Sequence, residues 1–380
     1  MTHPAHLVDT TMFFCPRGGG VRRYLLAKQA WLKAHAPHIR HTLLVPDPQQ
    51  AVEGIVTCQG RGIPLGDGYR FPVSRARWRK SLLECAPDLI EAGDPYVPAW
   101  ATRDAGQRLG IPVTAFFHSD LPRMLEKRAG GWTQPLARAY LRNLYGGFDL
   151  VLAPSRAMLE KLDAMGVANI ALQSLGVDTE IFRARSRHAD IRRQLGLPSH
   201  TRLLVYAGRF AREKHLDVLL SAVVRLGSPY HLLLVGGETH ARIGPHATVL
   251  PYERSEARLA RLLASCDALV HAGNEETFGL ILIEAMACGI PVVAVGSGGI
   301  RELVEDDVGL LATRSEAGEM AAAIAALFER DVHAMGVAAR ERAVRLYSWD
   351  AAFRQLLRHY AGLRGEQTNS LGSLVHAAEG

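Results

Sequence analysis

The sequence predicts an α/β protein of two domains, each built on a parallel sheet, and three observations lead there. The 380 residues exceed what one hydrophobic core usually organises, so two domains are the natural expectation. Short apolar runs alternate with helical patterns in both halves, as in parallel sheets flanked by helices. One stretch also reads as a complete strand–loop–helix–strand unit. Ala268–Val270 forms a strand, a helix follows near Leu280, and Pro291–Val295 forms the next strand. Gly289 and Pro291 stop that helix with a permissive C-terminal glycine and a residue that cannot continue it. Such a crossover forces a right-handed connection and a parallel pair.

The remaining elements follow in order. In the first half, strands are expected at Leu7–Thr11, Thr42–Val45, Leu89–Glu91, Val113–Phe117 and Leu150–Ala153. Helices fit around Val21–His35, Trp78–Glu84 and Ser155–Met165. In the second half, strands at Leu203–Ala207 and Leu232–Val235 precede the unit above, and Leu216, Leu219, Leu220 and Val223 mark one apolar helical stripe. The polar, irregular stretch Val177–Ser199 is the expected junction. It divides the chain into residues 1–177 and 178–349, with a helix-like run over about 350–363 and a polar tail over 364–380.

Bulk properties bound the function. Hydrophobic content of 48% with 22% charged residues is that of a soluble globular protein. No apolar run is long enough to span a bilayer, because Glu284 interrupts the best candidate. The start of the chain shows no secretory signal. Cys15, Cys58, Cys85, Cys266 and Cys288 are odd in number and scattered. Neither a disulfide frame nor a zinc site is indicated, and a cytoplasmic location is expected. The net charge of +6 favours polyanionic partners without choosing among them. Two segments mix cations with aromatics, Arg75–Glu84 and Arg123–Tyr145. They suit peripheral contact with an anionic membrane, against the plain alternative of a solvated face. Cations at the start of the first helix oppose its macrodipole, so a compensating group is expected. His35, His38 and His41 are read as a solvated loop, since Pro37 breaks the helix there.

The chemistry concentrates in four motifs. Glu276 and Glu284 stand eight positions apart, one in the loop after a strand and one about a turn inside the helix. Free amides at Phe278, Gly279 and Leu280 mark the helix start, a place that favours anions. Carboxylates offer paired acceptors to sugar hydroxyls; the plain alternative is that they offset the helix dipole or face solvent. Arg209 and Lys214 follow the strand Leu203–Ala207 and offer a fork and a point charge to a diphosphate. Gly18, Gly19 and Gly20 precede a helix and let backbone approach a bulky anion, or form a plain turn. His118 ends the run Val113–Phe117; a lone histidine is more often structural.

Together these motifs resemble the retaining glycosyltransferases of family 4. Glu276 to Glu284 is similar to the family's E-x7-E signature, Arg209 to Lys214 to its R-x4-K element, and Gly18–Gly20 to its glycine loop. Gly176-Val177-Asp178 through Phe182 looks like its interdomain junction. The resemblance covers about 300 residues in the expected order. It implies the GT-B fold: two Rossmann-like domains with parallel sheets facing across an interdomain cleft, and a terminal helix returning to the first domain. It further implies that Glu284 binds the ribose of a nucleotide-sugar donor and that Arg209 and Lys214 hold the diphosphate. Glu276 would lie beside the transferred sugar, Gly19 and Gly20 would face the phosphates, and His118 would contact sugar or acceptor. Gly298-Gly299-Ile300 with Glu302 would fix loop geometry.

No Asp-x-Asp occurs, so no metal and no cofactor is expected; the nucleotide-sugar is a substrate. A UDP-sugar is favoured as donor, with UDP-glucose or UDP-glucuronate as guesses. The favoured acceptor is a lipid such as diacylglycerol, from the basic-aromatic segments and a looser resemblance of Met12 through Tyr24 to glycolipid-forming members. A polysaccharide or soluble acceptor is the alternative. A nicotinamide-dependent oxidoreductase would share the fold class but lacks the fingerprint glycines with a ribose acid. A nucleotide-sugar epimerase matches the E-x7-E region less well. A nucleic-acid partner is not expected, since no recognised binding module is present.

Overall fold

The computed structural model describes residues 5–15, 19–46, 54–57, 62–64, 69–184 and 191–363. Gly18, Cys58, part of the junction and the polar tail lie outside them. The chain divides into two units, residues 1–174 with 352–380 and residues 175–351.

Unit 1 begins with β1 (Ala5–Thr10), α1 (Gly20–His35), β2 (Ile39–Val45) and β3 (Ile55–Thr57). A two-stranded ribbon follows, β4 (Ile63–Pro64) with β5 (Arg70–Phe71), and then α2 (Arg75–Cys85). The rest is β6 (Leu89–Ala92), α3 (Val97–Leu109), β7 (Val113–Phe116), α4 (Leu121–Ala129), α5 (Thr133–Tyr145), β8 (Leu150–Ala153), α6 (Arg156–Ala164) and β9 (Ile170–Leu172). Its main sheet runs β3-β2-β1-β6-β7-β8-β9, every pair parallel.

Unit 2 starts with α7 (Ile191–Gln194), β10 (Arg202–Ala207), α8 (Leu216–Leu226) and β11 (Tyr230–Gly237). β12 (Ala241–Ile243), β13 (Ala247–Pro251), α9 (Glu256–Ala264) and β14 (Ala268–His271) follow. α10 (Leu280–Ala287), β15 (Val292–Val295), α11 (Ile300–Leu303), β16 (Gly309–Ala312), α12 (Ala317–Leu327) and α13 (Val332–Tyr347) complete it. The sheet order is β12-β13-β11-β10-β14-β15-β16, parallel except for β12. α14 (Trp349–Leu363) starts in unit 2 and ends in unit 1.

Both sheets bury their strands on two faces, which is why the strands read as apolar runs and not as alternating ones. The elements missed from sequence are short or carry mixed patterns. β9 has three residues, and α3 opens on Val97-Pro98 with a dense mixture of polar and small side chains. α10 ends as its composition predicts, with Gly289 at φ 75° just past the cap residue Cys288.

The core of unit 1 contains an ionic cluster that hydropathy could not reveal. Asp9 of β1 and Glu91 of β6 are register partners. Lys28 of α1 reaches Asp9 at 2.8 Å and Glu91 at 3.1 Å, and its ammonium donates to the Tyr360 hydroxyl of α14 at 2.7 Å. Tyr360 and Tyr24 both donate to Glu91, at 2.5 and 3.0 Å. Burial would raise the Asp9 carboxyl, but Lys28 and then His41 hold it below its ordinary range. For Glu91, burial wins over Lys28, and the neighbouring Asp9 charge adds to the rise.

Two sequence expectations are corrected here, and one is met. His41 is a residue of β2 bonded to Asp9 at 2.8 Å, its side chain only 4% exposed, because the strand starts at Ile39 and turns alternate residues inward. The cations opening α2 find their compensation inside the protein: Arg75 pairs with Asp104 of α3 and lies over the Trp100 ring, and Ser74 caps the helix. Trp78, read as an amphipathic aromatic, is a core residue donating to the Thr10 hydroxyl at 2.6 Å. Among the described residues no helix is long and apolar enough to cross a membrane.

Candidate active site

Open parallel sheets bind ligands outside the strand carboxyl ends, where the strand order reverses. In unit 2 that reversal lies between β10 and β14. The loop after β10 carries Arg209 and Lys214, and the loop after β14 carries Glu276. The fold thus brings two separate sequence motifs to one place, and Lys214 Nζ forms an ion pair with Glu276 Oε1. Arg209 is exposed, and its carbonyl accepts from the Tyr206 hydroxyl at 3.0 Å.

A residue that sequence reasoning missed completes the cluster. His271, the last residue of β14, is 1% exposed and reaches Glu276 Oε1 with Nε2 at 3.1 Å. The missed signal is the one that singled out His118: a histidine closing an apolar strand. Burial alone would raise the Glu276 carboxyl. The His271 hydrogen bond and the Lys214 charge override it and hold the group well below the carboxylate range.

The Glu276 loop is pinned from several sides. Ser315 donates to the Ala272 carbonyl at 2.8 Å and bonds His215 Nδ1 at 2.6 Å. The Gly299 amide donates to the Glu276 carbonyl at 3.0 Å. Gly298 adopts φ 53°, and a Cβ there would lie 2.4 Å from that same carbonyl oxygen. Only glycine tolerates both demands, so this pair does set the loop's geometry.

The helix start differs in detail from expectation. Gly279 caps α10, Leu280 opens it, and the first recorded turn bond runs from the Leu282 amide to the Gly279 carbonyl at 3.0 Å. The Phe278 side chain is buried against Tyr347, edge to face with centroids 6.0 Å apart, so only its backbone is available to a ligand. Glu284 is 4% exposed on a helix otherwise made of apolar residues, Leu280-Ile281-Leu282-Ile283 before it and Ala285-Met286-Ala287 after.

Gly19, Gly20 and His118 belong to unit 1. Gly19 caps α1 at the carboxyl end of β1, Gly20 is its first residue, and a Cβ on Gly19 would meet nothing within 4 Å. The reversal of strand order in this sheet falls between β1 and β6, and Gly19 and Gly20 follow β1 in the chain. His118 follows β7, its ring stacked on Phe116 with centroids 4.0 Å apart and edge-on to Tyr24 at 5.2 Å. Burial, with the Lys28 charge behind it, pushes its pKa down to about 3, so the imidazole is neutral at physiological pH.

Near the β1–β6 switch lies a second unforeseen group, Asp94. It accepts from the Met12 amide at 2.6 Å, the Thr11 hydroxyl at 2.9 Å and the Tyr96 amide at 3.1 Å. Burial outweighs these bonds and lifts its pKa to about 6.

Comparison with known proteins points to one family. The family model for group 1 glycosyl transferases matches residues 188–343, and that for Glycosyltransferase Family 4 matches residues 17–181. A GDP-mannose-dependent alpha-mannosyltransferase of Mycobacterium tuberculosis is 32% identical over 312 residues, 80% of this chain and 79% of that protein. A GDP-mannose-dependent alpha-(1-6)-phosphatidylinositol dimannoside mannosyltransferase of the same species is 30% identical over 371 residues, covering 92% and 94%. Among solved structures, a sucrose-phosphate synthase from Thermosynechococcus elongatus superimposes with a TM-score of 0.78 at 22% identity, covering 94% of this chain and 99% of that one.

Proposed function

The chain belongs to glycosyltransferase family 4, and from that premise we propose that it is a retaining, metal-independent mannosyltransferase acting on a lipid-linked acceptor. It has the GT-B fold of its structural neighbours and uses a nucleotide-sugar. The observation that carries the roles of these residues is the meeting of Lys214 and Glu276 at the switch point of unit 2. A cation for phosphate and a carboxylate for sugar hydroxyls stand side by side there. Arg209 and Lys214 hold the diphosphate and stabilise the charge that develops on it as the sugar leaves. The amides opening α10 add donors, and Glu284 takes the ribose hydroxyls. Glu276 lies against the transferred sugar, and neutral His118 accepts or donates one hydrogen bond to sugar or acceptor.

In this reading substitution occurs on the front face. The bond from the anomeric carbon to the phosphate oxygen breaks, and the acceptor oxygen bonds to the same face. The acceptor proton passes to the departing phosphate oxygen, so no side-chain base is required. The cations supply the charge stabilisation that a metal would give elsewhere.

The donor proposed is GDP-mannose, in place of the UDP-sugar favoured from the sequence, because the two relatives described above are named for GDP-mannose. The lipid acceptor has the support of the second relative's name. It also draws on a surface of unit 1, where α4, α5 and the turn between them expose Trp132 at 69%, Leu136 at 63% and Met124 at 42%. Residues 121–145 carry five cations and one carboxylate. That is the composition of a face resting on an anionic membrane, and the chain is proposed to work peripherally at the cytoplasmic side.

A thermal-shift screen of GDP, UDP and their sugars, followed by transfer of labelled mannose to phosphoinositide-based lipids, tests the reading. GDP-mannose should give the largest shift and a lipid-extractable product. Glu284→Ala or Lys214→Ala should leave folding intact and cut kcat/KM at least tenfold, about 1.4 kcal/mol. Near-wild-type turnover in both variants would remove the assignment.

A further inference from the structure

Both side chains that touch Glu276 do so on one oxygen. Lys214 Nζ and His271 Nε2 converge on Oε1, and among the described residues no group hydrogen-bonds Oε2. A carboxylate can only accept, so His271 must carry its proton on Nε2. Its Nδ1 is buried with no hydrogen-bond partner among the described residues, which suits a bare lone pair far better than a second N–H. Packing holds the ring in place: Tyr206 lies alongside at 5.9 Å, and a Cβ on Gly273 would sit 2.8 Å from His271 Cε1.

We propose that His271 is the positioning residue for Glu276, anchoring Oε1 from the end of β14 so that Oε2 is the oxygen offered to a hydroxyl of the transferred sugar. The inference rests on the reading of Glu276 and Lys214 given above and adds a division of labour to it. Lys214 has two claimants, Glu276 in the free protein and the diphosphate in the donor complex. When the diphosphate draws Lys214 away, a carboxylate fixed by lysine alone would be released as the sugar arrives. The imidazole has no competing ligand and keeps the carboxylate in register through that exchange. Pre-aligned groups of this kind act on turnover more than on donor affinity.

Three measurements test this. In long-range proton–nitrogen spectra of the free protein, His271 should show a proton on Nε2 whose resonance moves in Glu276→Gln. An Nδ1–H tautomer would overturn the inference whatever the enzyme's activity. In transfer assays His271→Leu should lower kcat at least tenfold with donor KM changed less than threefold, and His271→Gln, which restores an N–H donor, should recover most of that loss. Wild-type kcat in His271→Leu, or a Gln variant as slow as Leu, would overturn it. In a Glu276→Gln background His271→Leu should cost less than twofold more; an undiminished loss would show that the histidine acts elsewhere. A wild-type chain that transfers no sugar, yet shows the Nε2–H coupled to Glu276, would count against the proposed function and not against this anchoring.

Discussion

Asp94 in unit 1 and Glu276 in unit 2 occupy matching places, each just beyond the strand that neighbours the first strand of its sheet, yet they are held in opposite ways. Glu276 is met by a lysine and a histidine and stays ionised well into the acid range. Asp94 is met by two amides and one hydroxyl, none of them charged, and its pKa is lifted to about 6. The first environment sets a negative charge beside a cation that a phosphate can claim. The second uses a carboxylate to tie Thr11 and Met12, on the way to the glycine loop, to the end of β6. Matching topology therefore supplies matching positions, and the neighbouring side chains decide how the carboxylate at each position is held.

The largest effect that would sharpen this contrast concerns the two lysines. Lys28→Met strands two buried carboxylates and should destabilise unit 1 by about 3–5 kcal/mol in chemical denaturation. Lys214→Met breaks a pair whose side chains are each 20% exposed, so stability should change by about 1 kcal/mol or less while transfer collapses. Equal stability losses would mean that the unit 2 pair is structural after all. Next, Glu276→Gln should reduce kcat/KM at least a hundredfold, about 2.7 kcal/mol, whereas Asp94→Asn should retain activity within an order of magnitude; steady-state kinetics on both variants decide. Gly298→Ala forces a side chain into a left-handed position against the Glu276 carbonyl, and a loss of about 2 kcal/mol is expected. That loss should appear as a lower melting temperature together with slower turnover, because the backbone displaced is Glu276's own.

The smallest effect is a matter of pH. A carboxyl whose folded pKa is raised contributes stability that is complete below its unfolded pKa and is lost as pH rises through the folded value. For Asp94 the window lies around its pKa of about 6, and between pH 5 and 7 the loss should reach about 1.4 kcal/mol. The stability difference between wild type and Asp94→Asn should shift by that amount over this interval. Glu276 has the reverse sign: its folded pKa is depressed, so its contribution is present above the unfolded value and fades only as pH falls far below it. A flat difference curve for Asp94 would end the comparison.

The sequence made most of the frame legible and about half of the site. Buried parallel strands announce themselves as apolar runs, and the expected strand at Leu150–Ala153 matches β8 residue for residue. The meeting of Lys214 with Glu276 was legible because both motifs were expected at one ligand. Glycine behaviour at Gly289 and Gly298 followed from backbone geometry. What stayed hidden were polar groups inside the core. Lys28, Asp9, Glu91 and His41 look like surface residues in a linear reading, since nothing local says that four elements converge on them. His271 was hidden for the opposite reason, because it directly follows the apolar run Ala268–Val270 and a lone histidine at a strand end carries no signal of its own. Phe278 shows the limit of motif transfer: its position in the signature was read correctly, but its ring turns inward to Tyr347.

The hydroxyl of Tyr360 has one more implication, for the order in which the protein is made. It touches Lys28 across 332 positions of chain, and closing so long a span waits on the far end being present. Translation releases the first unit's sheet long before that tyrosine exists, although domains usually fold as they emerge. A nascent chain stopped before α14 would therefore hold Lys28 and Glu91 without the hydroxyl they share, so the amino-terminal sheet completes its cluster only after the whole second unit has been made.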